Sequence, residues 1–396
     1  MHVLIAGGGI GGLAAAAALL QRGIDVDVYE QAPELKEVGA GIQISPNGNK
    51  VLDAIGVFER LKALSCDPDR KEFRLWNTGR PWPMFSLGKT VVEQYGYPYL
   101  TVYRPDMHEA LADRVRALKP DAIHLDSGVA GCSQDAEAAE LLLRDGRRVR
   151  GDALIGADGV RSVVRNTLWG PTDPAFSGMV AWRGLIPMEL LPERMRASVG
   201  TTWIGPGGHA VSYPLRQSRV MNFVATIEGK TWTAAGNSEE GTVEECLADF
   251  TGWHEDVQTL IRHSPRLLKW ALASRDPIPA WTQGRISLLG DAAHATLPFL
   301  AQGAVHSIED GMVLARCLEG VDPGGAAAAL KRYEAARIER TSKMVRGATA
   351  NTERFHSQEL ATEERAERYL ELEWGAAPIR DRYHWLYLYD ANTAPI

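Results

Sequence analysis

The sequence predicts an α/β protein: a Rossmann-type dinucleotide-binding layer assembled from separated segments, an antiparallel sheet beside it, and a helical C-terminal region. Three observations predict it. A strand, glycine turn, helix and second strand open the chain. Apolar strands ending at Asp158-Gly159 and Gly290-Asp291 recur far downstream, and between them the texture turns aromatic and alternating. With 396 residues, 45% of them hydrophobic, the chain can bury a large core and divide into two or three domains.

Residues 2–6 (HVLIA) read as a short apolar strand, 7–12 as a glycine turn, 13–21 as an alanine-rich helix and 24–29 as a second strand ending at Glu30. Gly7-x-Gly9-x-x-Gly12 followed by an acid about twenty residues on is the dinucleotide fingerprint. Glycines allow the tight turn and let backbone approach a pyrophosphate at the helix N-terminus, while Glu30 accepts a hydrogen bond from a ribose hydroxyl. The pattern serves FAD and NAD equally.

Residues 140–150 alternate around Asp145-Gly146, a tight-hairpin signal, and lead into strand 153–157; a third strand follows at 286–289. Segments 71–100 and 176–275 carry Trp182, Trp203, Tyr213, Phe223 and Trp232 with turn glycines at Gly205, Gly207 and Gly208, and read as an antiparallel sheet over the cofactor. After about residue 325 the chain becomes helical, with a solvated charged face at 359–373.

A net charge of -7 without basic runs argues against nucleic acid or an anionic membrane and for small-molecule partners. Cys66, Cys132, Cys246 and Cys317 form no CxxC pair, so reduced thiols are expected, with no metal site and no disulfide framework. The early apolar run 13–20 falls short of the ~18 residues that span a bilayer. No basic leader precedes the first strand, so a cytoplasmic protein is expected.

Taken in order, GGGIGG (7–12), GAGIQISPNG (39–48), Arg104, GADGVRS (156–162), GDAAH (290–294) and AQGA (301–304) resemble the group A FAD-dependent aromatic monooxygenases. The likeness points to the salicylate hydroxylase-like enzymes, with 3-hydroxybenzoate 6-hydroxylase and 6-hydroxynicotinate 3-monooxygenase as relatives; WLYLYDA (385–391) is similar to their ending. The resemblance implies a discontinuous, GR2-like FAD-binding domain (1–70, 101–175 and 276–345), a substrate-binding sheet domain (71–100 and 176–275) and a helical C-terminal region (346–396).

It also implies roles. Gly7, Gly9, Gly12 and Glu30 hold the dinucleotide, Asp291 bonds the ribityl chain, and Gly303 and Ala304 bring a helix N-terminus to the flavin pyrimidine. Pro298 shapes the oxygen site. Arg104 touches FAD and organises the nicotinamide encounter, or is a surface arginine at a helix start; Asp158 serves FAD and NAD(P)H, or closes a strand-end turn. The implied chemistry is hydride transfer from NADH or NADPH to FAD, O2 addition to give a flavin hydroperoxide, and hydroxylation of a phenol, in a homodimer by analogy.

His209 and Tyr213 are four apart in an expected strand and so share one face. Their stretch IGPGGHAVSYPLR resembles that of 3-hydroxybenzoate 6-hydroxylase, which makes His209 the proton acceptor and Tyr213 an orienting partner; the alternative is a core histidine and a packing tyrosine. His294 reads as structural near FAD, and His306 departs from the pattern without a role. Asn47 stands where relatives carry histidine and shifts the expected substrate towards a salicylate-like or broader phenolic acid. Arg183 and Arg216 are considered for a substrate carboxylate and neither is chosen.

The expected function is thus hydroxylation of a hydroxybenzoate- or salicylate-like acid; the alternative within the class is a tailoring enzyme for a polycyclic phenol or quinolone. A flavin dehydrogenase or oxidase without ring hydroxylation, and a non-catalytic nucleotide-binding scaffold, are the readings from other classes.

Overall fold

The computed structural model describes residues 1–35, 40–234, 236 and 238–396. Within them, a six-stranded sheet runs in the order Thr282–Gln283, Ile286–Leu288, Ala153–Gly156, His2–Ala6, Asp25–Tyr29, Ile123–His124. The last five strands are parallel, and Thr282–Gln283 folds back antiparallel. Val3 to Ala6 and Ala153 to Ile155 are fully buried, as expected of strands covered on both faces. Four widely separated stretches of chain therefore make one sheet.

The helix Ile10–Leu20 crosses from the first strand to the second. Its run of alanines leaves a low ridge against the helix Gly303–Leu318, and the two approach so closely that a Cβ on Gly311 would sit 2.7 Å from the Ala15 nitrogen. Gly311→Ala would force these helices apart.

A second sheet of eight strands has the order Ser238–Gly241, Leu267–Ser274, Ala175–Pro187, Val220–Ile227, Gly208–Leu215, Val199–Gly205, Arg70–Leu75, Pro81–Ser86. The pairing is antiparallel except for Val199–Gly205 beside Arg70–Leu75, which is parallel. That departs from the fully antiparallel expectation for a topological reason: those strands are joined through the nucleotide layer, and parallel neighbours require such a long crossover.

Alternation splits this sheet into two faces. Trp182, Trp203 and Phe223 pack with Phe250 and Val257 beneath the helices Val243–Asp249 and Glu255–Arg262. Each such burial is worth roughly 1.5–3 kcal/mol. In the sheet expected over the cofactor the aromatics therefore mostly face away, and their neighbours Arg183, Thr202 and Val224 line a cavity on the other side.

The helix Ala326–Phe355 runs unbroken through the expected boundary at 345/346. Beyond it, the helix Glu363–Trp374 buries Ala366, Leu370 and Trp374 at helical spacing and leaves its charged face to solvent. Among the described residues no helix is long and apolar enough to cross a membrane.

Candidate active site

Between the two sheets lies a cavity of about 390 Å³. One wall is backbone. Gly7 has φ +106°, and a Cβ there would sit 2.4 Å from the Ala157 oxygen; on Gly12 it would lie 2.1 Å from the Gly7 oxygen. Only glycine fits this turn. A Cβ on Gly9, which lines the cavity, would meet nothing within 4 Å. The helix Ile10–Leu20 starts there with no side-chain cap and no acid in its first turn, which leaves its N–H groups to a ligand.

Glu30 sits beside the turn, accepting from the Gly8 amide at 2.8 Å and the Ala32 amide at 2.9 Å. It braces the loop while keeping further lone pairs. His108, which the sequence reading passed over, braces the loop from behind, 2.7 Å from the Gly8 oxygen.

Asp291, Pro298, Gly303, Ala304 and Arg104 all line the cavity. Asp291 is exposed to the cavity, yet the protein packed around it displaces water and pushes its carboxyl up. Gly303 and Ala304 begin a helix that likewise has no capping side chain and no acid in its first turn. Just before it, Ala301 holds a left-handed φ of 54°, a strained backbone for a residue with a Cβ. Arg104 opens the helix Arg104–Leu118, its backbone N–H bonded to the Ala40 oxygen at 2.9 Å. Of the stretch 39–48, Gly39 lies outside the described residues.

Of the two expected roles of Asp158, at the cofactor or in the strand-end turn, its contacts bear on the turn. Its oxygens accept from Ser162 Oγ at 2.5 Å and from the Val163 and Val164 amides at 2.7 and 3.1 Å, so it caps the helix Val163–Trp169, while its neighbours Ala157 and Gly159 line the cavity. Asn47 also points elsewhere. It is fully buried, donating to Gln302 Oε1 at 3.2 Å and Glu309 Oε1 at 2.7 Å behind the cavity, so residue 47 carries no argument about the substrate. His306 is enclosed beside Arg337 and Glu309, and His294 is bonded to Asp310 at 2.6 Å. Arg216 is spent on Asp106, whereas Arg183 reaches the cavity and lies over the Trp270 ring.

The facing wall is the eight-stranded sheet. His209, Val211 and Tyr213 alternate onto it from one strand. His209 Nδ1 lies 2.7 Å from His356 Nε2, and His356 Nδ1 lies 2.5 Å from Glu228 Oε1. A carboxylate only accepts. Glu228 therefore sets the proton on His356 Nδ1, His356 Nε2 accepts from His209 Nδ1–H, and the bare lone pair of His209 falls on Nε2, the nitrogen left for a ligand. Burial and the neighbouring ring push the His209 pKa well below the usual histidine range, and burial pushes the Tyr213 hydroxyl up. His209 is thus neutral and Tyr213 a donor near pH 7.

Comparison with known proteins bears on this geometry. A family described as "FAD binding domain" matches residues 1–348. The chain is 36% identical to 3-amino-4-hydroxybenzoate 2-monooxygenase PtnB3 of Streptomyces platensis, over 100% of this chain and 97% of the relative. The chain belongs to the FAD-dependent aromatic hydroxylases. It is also 37% identical to the 6-hydroxynicotinate 3-monooxygenase of Pseudomonas fluorescens, covering 89% of this chain and 91% of that one. Klebsiella pneumoniae HpxO, solved with FAD and uric acid, superposes with a TM-score of 0.84 at 29% identity, over 96% of this chain and 95% of that one. FAD is the cofactor of this hydroxylase family, and the uncapped glycine cradle fits its pyrophosphate.

Proposed function

We propose that this hydroxylase acts on a phenolic aromatic acid of the hydroxybenzoate or salicylate kind, with NAD(P)H and O2 as cosubstrates. When bound, FAD supplies the redox chemistry, taking a hydride from NAD(P)H and activating O2. The names of the relatives support the substrate class. A homodimer in the cytoplasm completes the proposal, on the family resemblance and on four cysteines that are all unpaired.

In this reading Gly7, Gly9 and Gly12 admit the pyrophosphate, Glu30 and Arg104 hold the nucleotide end, and Asp291 bonds the ribityl chain. Gly303 and Ala304 present helix N–H groups to the pyrimidine, and Pro298 closes the flavin face. Asp158 acts as a positioning residue that fixes Ala157 and Gly159.

The single observation that carries the proposal is the chain His209–His356–Glu228. Electrophilic hydroxylation needs an electron-rich ring, which a phenolic acid gains by losing its hydroxyl proton. A buried histidine is a poor place to leave a charge. Here His209 takes the substrate proton on Nε2 while its Nδ1 proton passes to His356 Nε2, and the His356 Nδ1 proton passes to Glu228. One proton enters at the cavity and one arrives at the carboxylate, with no lasting charge on His209. Tyr213 donates to the substrate oxygen and orients it.

The test is NAD(P)H oxidation by the FAD-loaded protein with salicylate, 3- and 4-hydroxybenzoate and 6-hydroxynicotinate, with peroxide and products quantified together. A hydroxylated product with little peroxide is expected from at least one acid. Peroxide alone from every compound would overturn the substrate class.

A further inference from the structure

Besides Arg104 and Arg183, a third cation faces the same cavity, from its far edge. In the strand Arg70–Leu75, Arg70, Glu72 and Arg74 point one way and neutralise each other, with Glu72 2.8 Å from Arg74 and 3.1 Å from Arg70. Lys71 and Phe73 point the other way, into the cavity. Lys71 Nζ donates to Tyr99 Oη at 3.3 Å, and Tyr99 gives its own proton to Gln43 Oε1 at 2.8 Å. One ammonium N–H thus meets a neutral oxygen and the ammonium lies 5.0 Å from the centre of the Tyr99 ring, which leaves its remaining donor capacity to the cavity. Among the described residues no carboxylate pairs with Lys71. Enclosed charges are paired as a rule, because desolvating one alone is expensive.

We infer that Lys71 is the carboxylate anchor of the substrate site, holding an aromatic acid by its carboxylate while His209 deprotonates its hydroxyl. This deepens the proposed function and rests on it. Register supports the placement. Lys71 pairs with Gly200, whose strand neighbours Tyr213's strand, so Lys71 and Tyr213 stand two strand spacings of ~4.8 Å apart. Between them Gly200, on the same face as Thr202, offers no side chain; a Cβ there would press on Lys71 Cγ at 3.4 Å. His209 lies four residues further along, at ~3.3 Å each. With both side chains reaching inward, the remaining gap suits a single ring bearing a carboxylate and a hydroxyl. The bulge opposite Lys71 and Glu72 leaves Met84 unpaired and on the cavity wall, where with Phe73 and Tyr383 it supplies apolar contact for the ring.

The test titrates benzoate and benzamide into the FAD-loaded protein and into Lys71→Met, reading the flavin absorbance without turnover. The wild type is expected to prefer benzoate, and Lys71→Met to bind benzoate roughly ten- to a hundredfold more weakly while holding benzamide unchanged. Equal binding of the two by the wild type, or undiminished benzoate binding by an FAD-replete Lys71→Met, would overturn the inference. Should the variant fail to fold, pH replaces it. Burial lowers the Lys71 pKa to about 8, so the ammonium is present below that pH and lost above it. The facing groups leave this window clear: Tyr99 and Tyr213 are raised, Tyr383 is raised to about 12, and His209 is lowered. Benzoate affinity should fall as pH rises through about 8 and benzamide affinity should not; parallel behaviour of the two would sink the idea. Failure of the hydroxylase reading shows separately, as absence of product from the phenolic acids.

Discussion

On the helix Gly303–Leu318, Glu309 and Asp310 are enclosed by Arg337, Arg340, His294 and Asn47, whereas in the facing sheet the chain His209–His356–Glu228 begins at the cavity and ends at a carboxylate that is 41% exposed. Both networks are polar and inside the protein, yet they handle charge oppositely. In the first, paired cations hold Asp310 down to about 2 and keep Glu309 ionised, while the two acids hold Arg337 charged. In the second, burial drives both histidines towards neutrality. A closed set of opposite charges stays put, and through the Gly290 amide, 3.1 Å from Asp310, it fixes the turn that carries Asp291. An open line of neutral rings has a way in and a way out, the arrangement a proton needs.

The contrast breaks most visibly at Arg337. Arg337→Met removes the cation that two buried acids share, leaving Glu309 with Arg340 and Asp310 with His294, and should cost about 3–5 kcal/mol, seen as a lower urea midpoint of the FAD-loaded protein. An unchanged midpoint would strip the closed network of its structural role. Next in size is the open network's inner end. His209→Ala should keep its FAD and most of its stability yet lose hydroxylation by about 10²-fold or more; full product yield would remove His209 as proton acceptor. The smallest effect is expected at the outer end, where Glu228→Gln should lower kcat by less than about tenfold and move its pH profile while KM holds. A profile that stays in place would end the relay at His356.

Legibility followed the range of the constraint. The glycine turn was readable because Gly12 answers to the Gly7 backbone five residues away and Gly7 needs its positive φ within the turn, although Gly7 also abuts Ala157 across the sheet; the hairpin around Asp145-Gly146 appears as Ala139–Leu143 paired with Arg148–Gly151. The face shared by His209 and Tyr213 was readable for the same reason. His356 was not, since it meets His209 across 147 residues and stands at the end of a helix with no local mark. Lys71 left a faint signal, a lysine on the inward stripe with Phe73 and Leu75, which takes its meaning only once the sheet is folded. Asn47 misled in the other direction: its motif position suggested the substrate, but its side chain serves the buried acids.

The sequence by itself determined the dinucleotide layer, the strand ends that carry Asp158 and Asp291, and with them membership of a flavin family, because turns, alternation and helix starts are set by neighbours in the chain. Tertiary structure alone decided that Asp158 caps a helix, that Trp182 and Phe223 turn away from the cavity, and that Lys71 and His209 converge upon it with His356 behind His209. Those outcomes depend on strand register and on which face the helices cover, and both are settled by long-range packing that no local stretch of sequence encodes.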